Sequence, residues 1–263
     1  MADSVTEFCP TIDVSWVVPF AALFTVGSHG SLINAPIQTD DHRSQCFVGF
    51  DLGSSSATMK AYFLPAQRAA RDSVPPWPLA KVTRASVASI CAVELRSLDI
   101  LSTFVASCPE TYGLRLEIVA MDCVPLYTIR IKVYFRTNAT SFDSVKYFIT
   151  MAGTLASDGT AEALRDLRRL WIGVLELRPD VLDDCELPPC KHRTAGILYY
   201  FELDPGVPSP TVKVYIPVRH YAESDAQIAR SLEEWFGPES KTEYRAMLTE
   251  TLYINLATHN LDA

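Results

Sequence analysis

Thr128-Ile-Arg-Ile-Lys-Val-Tyr-Phe135 alternates apolar with polar residues at a period of two, the pattern of a strand buried on one side only. Ile131, Val133 and Phe135 fall on one face, and Arg130, Lys132 and Tyr134 on the other. Just upstream, Leu114-Arg-Leu-Glu-Ile-Val-Ala-Met-Asp122 reads as a second strand, with a turn at Pro125 between the two. The same arrangement occurs twice more. Cys46-Phe-Val-Gly-Phe-Asp-Leu52 leads through a Gly-Ser-rich turn into Ala57-Thr-Met-Lys-Ala-Tyr-Phe-Leu64. Gly196-Ile-Leu-Tyr-Tyr-Phe-Glu-Leu203 leads through Asp204-Pro-Gly-Val-Pro-Ser-Pro210 into Thr211-Val-Lys-Val-Tyr-Ile216. Strands joined by such short turns are antiparallel.

Each second strand carries a basic residue, a spacer and a tyrosine. Met59, Ala61 and Phe63 oppose Lys60 and Tyr62; Val212, Val214 and Ile216 oppose Lys213 and Tyr215. Between the hairpins lie segments with helical spacing. These are Ala85 to Val105, then Ala161 to Leu177 with Leu164, Leu167, Trp171, Val174 and Leu175 on one side, and Ala222 to Phe236 with Ile228, Leu232 and Trp235. Near the start, Val14 to Val26 reads as a buried helix broken by Pro19. Helices have to cover the apolar face of the strands, because nothing else can bury it. The cation–tyrosine face then points away from the helix layer. On an open sheet it meets water; on a curled sheet it lines a shared interior. In that interior Lys60, Arg130, Lys132 and Lys213 would repel one another without an anion. A diphosphate suits them, since arginine offers a planar fork and lysine a point charge. Tyrosines beside them present π faces that attract a carbocation. The expected fold is α+β: a complete or partial antiparallel barrel surrounded by helices, with residues 1–263 as one domain.

Composition sets limits on partners. A net charge of −8 disfavours nucleic acid. No apolar run is long enough for a bilayer span, and the first residues, Met-Ala-Asp-Ser-Val-Thr-Glu, show no secretory pattern, so a cytoplasmic location is expected. Cys9, Cys46, Cys91, Cys108, Cys123, Cys185 and Cys190 follow no disulfide spacing and are expected to be free thiols. Cys185, Cys190 and His192 form one weak metal-like cluster, which reads as a surface loop, and no cofactor is expected. Asn138-Ala-Thr140 fits the glycosylation sequon, which carries no weight without secretion. Six strands leave two edges, which a smaller closed barrel, covered edges or a dimer joining two half-barrels would each resolve; a homodimer is expected.

The strand motifs Met59-Lys-Ala-Tyr-Phe-Leu-Pro65, Arg130-Ile-Lys-Val-Tyr134 and Lys213-Val-Tyr-Ile-Pro-Val218 resemble those of the fungal aromatic prenyltransferases of the dimethylallyltryptophan synthase family. Phe50-Asp-Leu52, Ile12-Asp-Val-Ser-Trp16 and Arg219-His-Tyr-Ala-Glu-Ser-Asp-Ala-Gln-Ile-Ala229 are similar to it too, so the likeness covers roughly residues 8 to 236. The resemblance implies a ten-stranded barrel of repeated αββα units. It also implies metal-independent transfer of a dimethylallyl or similar prenyl group from its diphosphate to an indole-type aromatic. By motif, Lys60, Arg130, Lys132 and Lys213 would bind diphosphate, while Tyr62, Tyr134 and Tyr215 would shield the allylic cation. The absence of an Asp-Asp-x-x-Asp pattern agrees, since Asp40-Asp41 and Asp183-Asp184 lack the third acid.

The sequence also departs from the family. Its members are longer, and no segment here matches the first repeat, where the family keeps a glutamate base and a further arginine. Glu243 to Ala263 reads as helix and tail where the family has a last hairpin. Glu117, Asp122 and Glu202 are the acids open to a base role, each more commonly structural. Arg219, His220 and Tyr221 read as a solvated strand end or as residues at the barrel mouth. Three functions remain open at this point: prenyl transfer, a cyclase or isomerase built on the same fold, and a binding protein without catalysis.

Overall fold

The computed structural model describes residues 12–15, 17–26, 44–52, 57–72, 96–125 and 128–237. The chain divides into two compact units. One comprises Met1–Ala139, Tyr147–Leu155 and Gly196–Tyr215, the other Thr140–Lys146, Ala156–Ala195 and Ile216–Ala263.

The first unit is built on the three expected hairpins: β1 (Cys46–Leu52) with β2 (Ala57–Phe63), β3 (Arg115–Asp122) with β4 (Ile131–Thr137), and β5 (Ile197–Leu203) with β6 (Thr211–Tyr215). They form one six-stranded sheet in the order β1-β2-β3-β4-β5-β6, antiparallel at every junction. Helices α1 (Val17–Phe24), α2 (Ala66–Asp72) and α3 (Arg96–Ser107) belong to this unit. A fourth, α4 (Phe142–Ile149), begins in the second unit and ends in the first.

Periodicity explains the burial. Met59, Ala61 and Phe63 of β2, Ile131, Val133 and Phe135 of β4, and Ile197, Tyr199, Phe201 and Leu203 of β5 are all buried. The helices meet this face. Phe20 and Phe24 of α1 lie 6.3 and 6.2 Å from Phe63, Phe104 of α3 lies 6.0 Å from Phe201, and Phe148 stacks on Tyr199 at 4.6 Å. Each such ring contributes about 1.5–3 kcal/mol on leaving water. Pro19 does not break α1, because it sits in the first turn, where its missing N–H has no helical partner to lose. The helix expected over Ala85 to Val105 is found as α3; residues 85–95 lie outside the described residues, as do Gly53–Ser56, Trp16, Asp40, Asp41 and Glu243–Ala263.

In the second unit, α5 (Thr160–Val174) packs on α7 (Asp225–Phe236), with the short α6 (Val218–Tyr221) between them in sequence. Trp171, Val174 and Leu175 are buried as the spacing required, and Leu164 and Leu167 are half-buried. Gly173 lets the two helices approach: Ser231 Oγ donates to its carbonyl oxygen at 2.8 Å. Ser224 caps α7 by accepting from Gln227 N at 3.2 Å. Asp183 is held by Lys146 and Arg168, at 2.9 and 2.6 Å.

The start of β5 is fixed by Gly196, which has φ +81°, and a β-carbon there would lie 2.1 Å from the carbonyl oxygen of Thr137. Gly196→Ala should therefore destabilise the protein by roughly 2–4 kcal/mol, combining left-handed backbone strain with a backbone clash. Urea unfolding should show a lower midpoint at unchanged slope, and an unchanged midpoint would refute the clash.

Candidate functional site

On the face of the sheet turned away from α1 and α3, register places the polar side chains in neighbouring rows. Lys60 stands opposite Asp122, Lys132 opposite Glu202, Tyr134 opposite Tyr200, and Tyr200 opposite Lys213. Tyr62 lies opposite Ala120, which is in turn opposite Lys132. This face is concave. On a flat sheet, strands four apart are roughly 19 Å distant, yet the Tyr62 phenol on β2, raised chiefly by burial, also feels Tyr215 on β6. Tyr134 and Tyr215, on strands two apart, have ring centroids only 6.4 Å apart. Asp51 on β1 likewise feels the charges of Lys132 and Arg130 from β4. The sheet curls with the cation–tyrosine face inside.

All seven residues expected at the site are on this face, but the cations are not bare. Expecting them to repel one another until an anion arrives overlooks three carboxylates that stand among them. Lys60 pairs with Asp51, which raises the pKa of the lysine and lowers that of the acid. Arg130 donates to Asp122 Oδ2 from Nε at 2.9 Å and from Nη2 at 2.6 Å. Its Nη1 is 3.8 Å from Glu202 Oε1. Lys132 Nζ stands 3.5 Å from Asp122 Oδ1 and 4.0 Å from Glu202 Oε2, beyond a normal hydrogen bond. Lys213, exposed like Arg130, sits 5.1 Å over the ring of Tyr200, and its hydrogen bond to that phenol raises its pKa. Around Arg130 four cations stand against three acids, a local excess of positive charge.

The aromatic part is equally well built. Tyr134 and Tyr200 are buried together with Ala120, and Tyr62, Ile118 and Leu198 pack against them. Ring centroids are 5.3 Å apart for Tyr134–Tyr200 and 6.1 Å for Tyr200–Tyr215. Phe47 stacks flat on Tyr62 at 4.5 Å. Burial first, then the neighbouring Tyr215, pushes the Tyr134 phenol well above its ordinary value, so it stays neutral.

Sequence reasoning missed Tyr200, Phe47 and Arg136. In the pair Tyr199–Tyr200 alternation sends one ring to each side of the sheet, and the register with β4 decides which. Of the acids open to a base role, Asp122 and Glu202 serve the cations. Glu117 lies at the far end, where a bulge between Leu116 and Ile118 admits an extra residue to the inner face and brings its carboxylate 3.4 Å from Arg136. Arg219, His220 and Tyr221 form no strand end. They belong to α6 of the second unit, where His220 Nε2 is 2.7 Å from Thr194 Oγ1. Cys185, Cys190 and His192 lie in a loop and form no metal-binding group of three or more ligands among the described residues. Cys46, Cys108, Cys123, Cys185 and Cys190 are free thiols, while Cys9 and Cys91 fall outside the described residues. No described helix is long and apolar enough to cross a membrane.

A family model described as tryptophan dimethylallyltransferase matches residues 1–248. The chain is 37% identical over 235 residues to 4-O-dimethylallyl-L-tyrosine synthase of Claviceps purpurea, an alignment covering 88% of this chain and 51% of that protein. It is 35% identical over 217 residues to a 7-dimethylallyltryptophan synthase of Aspergillus fumigatus, covering 78% of this chain and 43% of that one. The chain thus spans about half the length of the curated relatives it matches. Among solved structures, AnaPT from Neosartorya fischeri superposes with a TM-score of 0.74 at 20% identity, over 93% of this chain and 57% of that one. The NotF prenyltransferase superposes at 0.73 and 18% identity, over 97% and 62%. At those identities the likeness is one of fold.

The state of Tyr134 has a consequence for stability. The folded chain holds this phenolic proton more tightly than the unfolded chain does. The group therefore stabilises the fold below its ordinary value of 10.0, and that contribution is lost as pH rises above it. Tyr134→Phe should make the urea midpoint fall less steeply than wild type above pH 10; identical slopes in the two proteins would count against a raised Tyr134.

Proposed function

The chain belongs to the tryptophan dimethylallyltransferase family, and on that premise we propose that it catalyses aromatic prenyl transfer in fungal secondary metabolism, of the indole-alkaloid type. In this reading a dimethylallyl or similar group moves from its diphosphate to an electron-rich aromatic, an indole or a phenol. The observation that carries the reading is the convergence of four cations and a tyrosine cluster on one concave face.

The chemistry follows from that arrangement. Lys60, Arg130, Lys132 and Lys213 bind the diphosphate and take up the charge that grows on it as the carbon–oxygen bond breaks. Because these side chains neutralise the leaving group, the reaction runs without a metal ion. Tyr62, Tyr134 and Tyr215, with Tyr200 completing the cluster, face the allylic cation with π surfaces and keep water from it. A neutral Tyr134 serves this role, since a phenolate beside the cation would be alkylated. The aromatic acceptor then attacks the allylic carbon, and the proton lost on rearomatisation passes to a base; Asp122 and Glu202 are engaged by the cations and Glu117 by Arg136.

The relatives support an amino-acid acceptor, being a tyrosine and a tryptophan dimethylallyltransferase by name. We place the protein in the cytoplasm, with no nucleic acid and no membrane as partner. We further propose a homodimer. β1 is an edge strand whose Val48, Phe50 and Leu52 are 52%, 51% and 82% exposed, and a second copy offers the means to cover them.

Three measurements test these readings. Calorimetric titration with dimethylallyl thiolodiphosphate, a donor analogue that ionises poorly, should show saturable binding weakened at least tenfold by Lys132→Ala, a loss of about 1.4 kcal/mol; binding indifferent to Lys132 would refute the donor site. Product analysis with tyrosine and tryptophan as acceptors then reports transfer. Separately, light scattering during gel filtration should give twice the chain mass, and a monomer at micromolar concentration would remove the dimer.

A further inference from the structure

Asp122 is the least expected member of the site. It is the only acid on the inner face whose side chain is almost wholly buried, at 3% exposure among the described residues, whereas Asp51 is 65% and Glu202 19% exposed. A lone buried carboxylate beside an anion-binding surface opposes the ligand by charge alone. The retention of one here calls for a positive role.

The geometry supplies that role. Asp122 takes Arg130 by one edge of the guanidinium, accepting from Nε at 2.9 Å and Nη2 at 2.6 Å on a single oxygen, Oδ2. A planar fork held by that edge cannot rotate, and its remaining donors on Nη1 point toward the looser contact with Glu202 at 3.8 Å. The second oxygen, Oδ1, is buried and accepts no hydrogen bond, with Lys132 Nζ standing 3.5 Å away. Across the β2–β3 ladder Asp122 is the register partner of Lys60, whose pKa is raised chiefly by its hydrogen bond to Asp51 and in lesser part by the charge of Asp122. One carboxylate thus holds Arg130 rigidly and keeps Lys132 and Lys60 near without binding either tightly. We propose that Asp122 is a positioning residue of the diphosphate site: it locks Arg130 in the orientation that presents Nη1 to the ligand, and leaves Lys132 free to swing onto it. This rests on the diphosphate-binding reading above.

Charge and positioning predict opposite signs for the same substitution. If Asp122 acted only as a competing negative charge, Asp122→Asn would tighten diphosphate binding. As a positioning residue, its loss lets the guanidinium rotate, and binding weakens.

The experiment is calorimetric titration of the full chain with dimethylallyl thiolodiphosphate and with inorganic pyrophosphate. Asp122→Asn should weaken both by tenfold or more, while Asp122→Glu should recover part of the loss. In an Arg130→Ala background the same Asp122→Asn change should lose its effect, since the group it positions is gone. Unchanged or tighter binding by Asp122→Asn would overturn the proposal, as would an equal loss with and without Arg130. Should Asp122→Asn fail to fold, Arg130→Lys in the intact chain decides. It keeps the charge but not the two-donor edge, and should bind nearly as weakly as Arg130→Ala; wild-type affinity would overturn the assignment. Wild-type protein that binds neither probe would instead sink the donor-site reading itself, a result distinct from every variant outcome.

Discussion

Like charges on neighbouring strands have to be reconciled before this sheet can curl. Cross-strand cations destabilise a ladder when nothing separates them. Here Asp122 from β3 and Glu202 from β5 flank the Arg130–Lys132 pair of β4, while Asp51 from β1 answers Lys60 on β2. Acids and bases alternate across the strands, and that alternation is what allows the polar face to be the inner one. A solvated convex surface would tolerate the cations without help; a concave one brings them together and needs the carboxylates between them.

The aromatic cluster adds a second constraint. Tyr134 and Tyr200 are directly opposed and buried, so the rings of β4 and β5 meet as a small core of their own on the side away from the helices. The sheet therefore has two apolar layers. The outer one is aliphatic and phenylalanine-rich against α1 and α3, and the inner one is made of tyrosines. Phenols suit the inner layer because their rings pack while their hydroxyls find partners, as Tyr134 does with Tyr215.

Much of this was legible in the sequence. Period-two alternation at Met59–Phe63, Ile129–Phe135 and Val212–Ile216 puts Lys60, Arg130, Lys132, Lys213, Tyr62, Tyr134 and Tyr215 on the face away from the helices, since a strand has only two faces. What alternation cannot give is distance across strands. The pairing of Lys132 with Glu202 depends on register between segments far apart in the chain, and the contact of Tyr134 with Tyr215 depends on curvature. Tyr200 escaped notice for the same reason: in Leu198-Tyr-Tyr-Phe201 nothing local says which ring turns inward. Asp122 read as one acid among three, because its burial comes from the strands around it. The short helix at Val218–Tyr221 was missed because Pro217 precedes it and four residues carry no period to read.

The irregularity in β3 reaches further than its single extra residue. Before it, Leu116 faces Phe135; after it, Ile118 faces Tyr134, so the strand changes phase between them. Val119 and Met121 stay anchored beneath the helices while Glu117 gains a place on the inner floor beside Arg136. A strand with this phase change has two semi-independent halves. Residues 115–117 follow one alignment with β4, while the half that carries Asp122 keeps another. The concave floor thus has one end set in register with β2 and a second end whose phase the bulge sets for itself.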